Sequence, residues 1–257
     1  MCAPALREQA CIMAPKSHST PKNRLLAALP KQERGRYFSK LKTVPLSLRQ
    51  VIYEAGAPLK NVYFIEQGVA SILTDMASGS KIEVGMIGYE GVVGVAALLG
   101  RNTSTQQIIV QVPGSALQMK VAECRAAFEQ SAAVRIVMLR YFAALFDLAS
   151  QTAACNRLHT IEQRCARWLL MAHDRLHNDV LPMTHEFLAS MLGVRRAGVT
   201  EVAGELQSSG LIRYHHGQVT IVNRESLEAS ACECYHIDHD RLIRPLWTRP
   251  VPRKVKF

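Results

Sequence analysis

Two short helices that cross at a tight turn leave little freedom where they touch, and residues 184–204 meet those demands position by position. With Gly193 at the turn, the inward positions fall on Leu188, Leu192, Val194, Val199 and Val202, and the position of closest approach falls on Ala189. Thr184 stands where an N-cap is needed, and Glu186 in the first turn faces the positive end of the helix dipole. The second helix starts near Arg195 or Arg196. Its outward positions are Arg195, Arg196, Ala197, Gly198, Thr200 and Glu201. In a helix-turn-helix, the N-terminal residues of the second helix reach base edges in the major groove of double-stranded DNA. Arg196 is the first choice, because its guanidinium can donate two parallel hydrogen bonds to guanine O6 and N7, while Thr200 suits a phosphate or a thymine methyl. Residues 211–222 read as a β-hairpin turning at His216-Gly217, offering Arg213, His215 and His216 to the phosphates. A helical pair used only for packing would share the apolar spacing, but would need neither the paired arginines nor the hairpin.

Charge does not carry this reading. The formal net charge is +10, yet residues 1–50 hold ten Lys/Arg against two acids, residues 51–158 eight against eight, and residues 159–257 thirteen against eleven. The excess lies far from the helix pair, so pattern and not basicity supports DNA contact. A mean hydropathy near zero and 48% hydrophobic residues over 257 positions suit about two soluble globular domains. The longest apolar run, residues 91–100, is too short and too rich in Gly to span a bilayer, and the first residues lack the apolar centre of a secretory signal. The expectation is a cytoplasmic chain without membrane contact. Seven cysteines at irregular spacing read as reduced thiols. No phosphate-binding GxxxxGK[ST] loop or GxSxG nucleophile elbow occurs, which argues against an enzyme, and no cofactor is expected.

Residues 1–23 have the composition of a disordered arm, and residues 24–41 that of a helical lead-in broken at Pro30. Short β-rich runs follow at 50–53, 61–65, 69–74, 81–84 and 108–112, implying a barrel or sandwich. From Ala122 the texture is helical, and Val134, Met138, Tyr141, Leu145, Leu148, Thr152 and Cys155 repeat at alternating steps of four and three. Such a stripe serves either a parallel coiled coil between two copies or burial on the chain's own domain; the dimer seam is preferred, with Phe142 and Phe146 left to dock on the barrel. A further helix runs through Ile161, Cys165, Trp168, Leu169 and Ala172.

Three histidine and cysteine sets invite a metal reading. Cys232, Cys234, His236 and His239 have ligand types that suit zinc at a spacing tighter than usual, and an ordinary helix with reduced thiols is the preferred alternative. His173 and His177 lie one helical turn apart without an evident third ligand, and His185-Glu186 lacks a second His at Ala189. The basic tail Arg249, Arg253, Lys254 and Lys256 reads as a solvated terminus.

The order of barrel, long helix, helix-turn-helix and hairpin resembles the Crp/Fnr family of bacterial regulators over residues 24–222. Val62-Tyr63-Phe64-Ile65-Glu66-Gln67-Gly68, the stretch Ile161-Glu162-Gln163-Arg164-Cys165-Ala166-Arg167-Trp168-Leu169-Leu170, and Phe187-Leu188-Ala189-Ser190-Met191-Leu192-Gly193-Val194 are similar in wording to segments of that family. The resemblance implies a homodimer reading a two-fold symmetric operator under control of an effector in the barrel, and admits RNA polymerase as a further partner. It also marks Gly91, Gly94, Val95, Arg101, Thr105 and Gln106 as candidates for the effector pocket. Members that bind cyclic AMP carry a Gly-Glu pair followed by Arg and Ser/Thr, whereas here Val95 follows Gly94 and Thr105-Gln106-Gln107 stands where Arg is expected. Arg101, the one cation of that stretch, comes several residues early, so tight cyclic AMP binding is not expected and the effector is left unnamed. The recognition helix departs too, with Arg196-Ala197 and Glu201 in place of the familiar Arg-Glu and later Arg. Only Cys2 and Cys11 occupy the N-terminal region where the iron-sulfur branch clusters its cysteines.

The expected fold is therefore α+β: a β-roll of the cyclic-nucleotide-binding, jelly-roll kind at 24–121, a dimerisation helix at 122–158, a winged helix-turn-helix at 159–234 and a tail at 235–257. A ligand-sensing module with vestigial DNA contact is the alternative.

Overall fold

The computed structural model describes residues 21–243 except Ser78, Ser80 and His177. Most of the expected arm with Cys2 and Cys11, the basic tail, and His177 lie outside the described residues. The inner end of that arm is built in: Asn23 is buried, its Oδ1 accepts from Leu26 N at 3.2 Å, and its Nδ2 donates to Ile65 O and Gly91 O at 2.8 Å each. It caps α1 (Arg24–Ala28) and pins that helix to the sheet. Pro30 then separates α1 from α2 (Lys31–Phe38), whose Phe38 packs edge-on against Phe64.

Six strands form one antiparallel sheet: β1 (Lys42–Leu46), β2 (Val51–Tyr53), β3 (Asn61–Asp75), β4 (Lys81–Ile87), β5 (Val92–Val93) and β6 (Gln107–Lys120). Their order is β1-β6-β3-β4, with β2 also on β6 and β5 also on β3. The β-rich runs at 61–65 and 69–74 are one strand, not two. Gly68, between those two runs, sits in a bulged stretch of β3 at φ +88°, where a Cβ would lie 2.5 Å from Val112 O. Gly114 on β6 answers it, for a Cβ there would lie 2.1 Å from Gln67 O. Two glycines thus let the long strands cross closely while pairing from Asn61↔Lys120 to Leu73↔Gln107.

The single helix expected at 122–158 is two, α3 (Val121–Gln130) and α4 (Ala132–Leu158). Ser131 is extended between them, and its Oγ caps α4 by accepting from Val134 N. The expected seam needs correction. Val134, Met138 and Tyr141 are buried in the sensor core, Leu148 joins the core shared with the C-terminal part, and Cys155 is buried with other thiols; Leu145 and Thr152 are half-buried. Leu139, Phe142 and Phe146 face outward instead, at 44, 38 and 67% exposure. Both stripes have helical spacing, so period alone could not say which one the sheet would cover.

The chain continues through α5 (Ile161–Leu176), β7 (Val180–Pro182), α6 (His185–Leu192), α7 (Arg196–Ser208), β8 (Ile212–His215), β9 (Gln218–Ile221), α8 (Arg224–Ser230) and α9 (Cys234–Asp238). The last helix corrects the expected tail: Tyr235 and Asp238 are buried, and Arg167 of α5 donates to Asp238 Oδ2 from Nε at 3.1 Å and from Nη2 at 2.5 Å. The small sheet runs β7-β9-β8.

One apolar core joins the two halves, with Val69, Leu73, Met86 and Val112 of the sheet packed with Trp168, Leu169, Leu192 and Val199. Two buried polar contacts cross the same boundary. Glu83 Oε1 accepts from Trp168 Nε1 at 3.0 Å, while its Oε2 accepts from Ser71 Oγ at 2.5 Å and Gln111 Nε2 at 2.9 Å. Arg175 Nε donates to Glu90 Oε1 at 2.8 Å, both side chains being almost fully enclosed. Burial drives the Glu83 carboxyl from its ordinary 4.5 up to about 7, against the opposing pull of the Ser71 and Trp168 hydrogen bonds and the more distant arginines. A carboxyl raised by folding contributes stability that is complete below its ordinary value and lost as pH climbs through the raised one. Thermal unfolding followed by calorimetry should therefore show a midpoint that declines between pH 4.5 and about 7, and Glu83→Gln should flatten that decline. An unaltered slope in the variant would remove Glu83 as its source.

Candidate nucleic-acid interface

Local rules account for the helix pair. Thr184 Oγ1 accepts from Phe187 N at 3.2 Å and starts α6; Gly193 ends it in the left-handed region at φ 64°, with its N–H bonded back to α6. Leu188, Ala189, Leu192, Val199 and Val202 are buried between the helices, and Val194 is half-buried. Arg164 of α5 adds a donor to Leu192 O at the end of α6.

Arg195, Arg196, Ala197, Thr200 and Glu201 lie on the exposed side of α7. Gly198, expected to face outward, is half-buried and packs towards α5: a Cβ there would sit 3.3 Å from Ile161 Cδ1. The first turn of a helix presents three directions, and one of them meets α5. Arg196 has a 70% exposed side chain whose Nε is 3.9 Å from Glu186 Oε2, a contact weak enough in solvent to be exchanged. The Thr200 hydroxyl is engaged, bonded to Arg196 O and to His185 Nδ1 at 3.1 Å each.

β8 and β9 pair from Ile212↔Ile221 to His215↔Gln218, and the connection uses His216 and Gly217 at φ 45° and 74°. Arg213, His215 and His216 are exposed on this wing. Two residues have roles there that the sequence did not suggest. The His185 ring, weighed only as half of a metal pair, stacks on Tyr214 at 4.1 Å between centroids, tying α6 to the wing while its Nδ1 holds Thr200 of α7. Burial, with the nearby Arg196 charge, lowers the pKa of His185, favouring its neutral form. The other is Arg49, a sensor residue at φ 62° that lines one cleft with Thr184, Glu186, Arg196, Tyr214 and His216. Its distance in sequence hides that placement.

The sensor candidates have different surroundings. Gly91 lies against Tyr141, Gly94 is at φ 90° beside Asn61 O, and Val95 is buried at the head of a short 3-10 turn. Arg101 and Thr105 are exposed, and Thr105 Oγ1 donates to half-buried Gln106. The four residues of the C-terminal Cys/His set also separate. His236 and His239 pack around the Tyr235 ring, whereas Cys232 and Cys234 approach Cys155 and His159 of α4. His173 is occupied by Asp179, 2.7 Å away, and by Arg224.

A β-roll joined through a long helix to a winged helix-turn-helix is the build of a sensor-coupled DNA-binding regulator. Residues 43–131 match the cyclic nucleotide-binding domain, and residues 163–230 match the Crp-like helix-turn-helix domain. The chain is 22% identical over 182 residues to the global nitrogen regulator of Nostoc sp., covering 67% of this chain and 81% of that protein. Among solved structures, FixK2 from Bradyrhizobium japonicum superposes with a TM-score of 0.65 at 17% identity, covering 75% of this chain and 98% of that one. The c-di-GMP responsive global regulator CLP of Xanthomonas campestris gives 0.62 at 15% identity, covering 75% and 99%. Matched in both its sensor and its DNA-reading parts, the chain belongs to the Crp/Fnr family of DNA-binding transcription regulators. Among the described residues, no helix is long and apolar enough to cross a membrane.

Proposed function

We propose that two copies of this chain read a two-fold symmetric operator in the cytoplasm, with Arg196 as the principal base contact. The observation that carries this reading is the exposed Arg196 guanidinium at the first turn of α7, held only by a solvent-exposed contact to Glu186. Arg195, Ala197 and Glu201 are exposed near it, and Arg213, His215 and His216 lie on the wing where phosphates would run. Gly198 leaves the set because it faces Ile161, and Thr200 acts first as a brace between α7 and His185. Thr184 acts as the cap that sets the start of α6. The protein works by binding and not by catalysis, with RNA polymerase as a further partner.

The dimer seam in this reading is the outer stripe of α4. Leu139, Phe142, Phe146, Ala149 and Ala153 are exposed and recur at steps of three and four, which fits helix-on-helix contact with a second copy. The effector is not cyclic AMP: Arg101 is exposed at the surface, leaving a cyclic phosphate without a buried cation, and Gly91 is closed off by Tyr141. A protein of the same fold described as c-di-GMP responsive supports an effector of other chemistry.

Three outcomes are expected. Arg196→Ala should cost about 1–3 kcal/mol of specific DNA affinity, seen as a lost footprint on the bound site with circular dichroism unchanged. A preserved footprint would remove Arg196 from the reading set. Phe146→Arg should sediment as a monomer, and a persistent dimer would place the seam elsewhere. Calorimetric titration with cyclic AMP should give no heat of micromolar binding; such binding would refute the reading of the pocket.

A further inference from the structure

We propose that Cys155, His159, Cys232 and Cys234 bind one zinc(II) ion, closing a tetrahedral three-sulfur, one-nitrogen site at the junction of α4 and α5. The four ligand atoms lie within 4.8 Å of one another. Cys155 Sγ is 3.6 Å from Cys232 Sγ, and Cys234 Sγ is 3.6 Å from His159 Nδ1. A tetrahedral zinc with bonds of about 2.3 Å to sulfur and 2.0–2.1 Å to nitrogen places its ligands about 3.8 Å apart for sulfur pairs and about 3.6 Å for sulfur and nitrogen. The side chains are thus gathered at the spacing of a mononuclear centre. Soft thiolates with an imidazole favour zinc over the hard cations that prefer oxygen.

The surroundings suit ligands better than packing. Cys124 and Cys165 sit inside the two large apolar cores, as buried thiols usually do, whereas Cys155, Cys232 and Cys234 form a separate small cluster of their own. Cys155 and His159 are one helical turn apart at the end of α4, and Cys232 and Cys234 come from a segment more than seventy residues later. His159 Nε2 lies 3.2 Å from Glu233 Oε2, an exposed carboxylate that would hold the ring in the tautomer leaving the Nδ1 lone pair for the metal. Gln151 Nε2 donates to Cys234 Sγ at 3.0 Å. Three thiolates and one zinc carry a net charge of −1, and the charge of Arg167 acts on Cys155 and Cys234. Binding releases the three thiol protons to solvent.

With four protein ligands the site is closed, hence structural in kind. His159 caps α4, and α5 begins two residues later, so the ion would clasp the C-terminal segment at residues 232–234 to the α4–α5 junction. The inference does not depend on which residues read DNA.

Its test is the metal content of the full-length chain purified under reductant from zinc-supplemented culture, by plasma mass spectrometry and zinc-edge X-ray absorption. One zinc per chain with a shell of three sulfurs and one nitrogen is expected, and Cys124→Ser should keep that stoichiometry. Glu233→Gln should weaken zinc affinity about 10–100-fold in competition with a chelator. Cys232→Ser should remove stoichiometric zinc. Should that variant fail to fold, cobalt(II) added to the zinc-stripped natural chain should give the visible bands of a tetrahedral thiolate complex. A metal-free natural chain with an octahedral cobalt spectrum, a Cys155–Cys232 disulfide under the same reducing conditions, or full zinc retention in folded Cys232→Ser would each overturn the proposal.

Discussion

Helix α5 reaches into the sensor sheet with Trp168 and Arg175, seven residues apart on one face, and each finds a buried carboxylate. Glu83, shared with Ser71 and Gln111, takes its link to α5 from Trp168, and Glu90 forms a buried ion pair with Arg175, whose loss on one side would cost about 3–5 kcal/mol. The apolar core around them is generic, since hydrophobic burial has no direction. The polar contacts are directional and fix one placement of the DNA-reading part on the sheet. Everything after Leu158 inherits its orientation from that placement.

The helix pair is consequently not an independent module. In the turn of the motif, the space a Gly193 Cβ would occupy is filled by Ile82 Cδ1 at 2.5 Å, so the end of α6 rests on β4, the strand that carries Glu83. Arg49 reaches the edge of the same surface from the other side of the sensor. A change in the sheet could move the reading surface through these contacts without any longer path. In the same way α4 has two apolar stripes, one sent into its own chain and the other left exposed.

Much of this was legible because it depends on local rules. The cap at Thr184, the left-handed turn at Gly193, the inward Leu188, Leu192, Val199 and Val202, and the wing turn at His216-Gly217 each follow from neighbours within about four residues. The helix α5 and the exposed Arg195 and Arg196 follow likewise. Errors arose wherever a residue's meaning lay across the chain. The runs at 61–65 and 69–74 read as separate, yet Gly68 between them is a crossing point inside one strand, because the Gly114 that meets it is 46 positions away in sequence. The two stripes of α4 have similar spacing, and only the sheet decides which is covered. His236 and His239 are close to Cys232 in sequence, but they pack around Tyr235, while Cys155 and His159 lie beside Cys232 and Cys234.

By itself, then, the sequence determined the kinds of element and their order, the helix-turn-helix with its wing, and membership of a regulator family, since short-range sterics, capping and periodicity are written in adjacent residues. Only the tertiary structure decided which face of each helix is inside, how α5 is locked to the sheet, and which cysteines meet a histidine. Those outcomes depend on competition for buried surface and for hydrogen-bond partners between segments tens of residues apart, and no local pattern records who wins it.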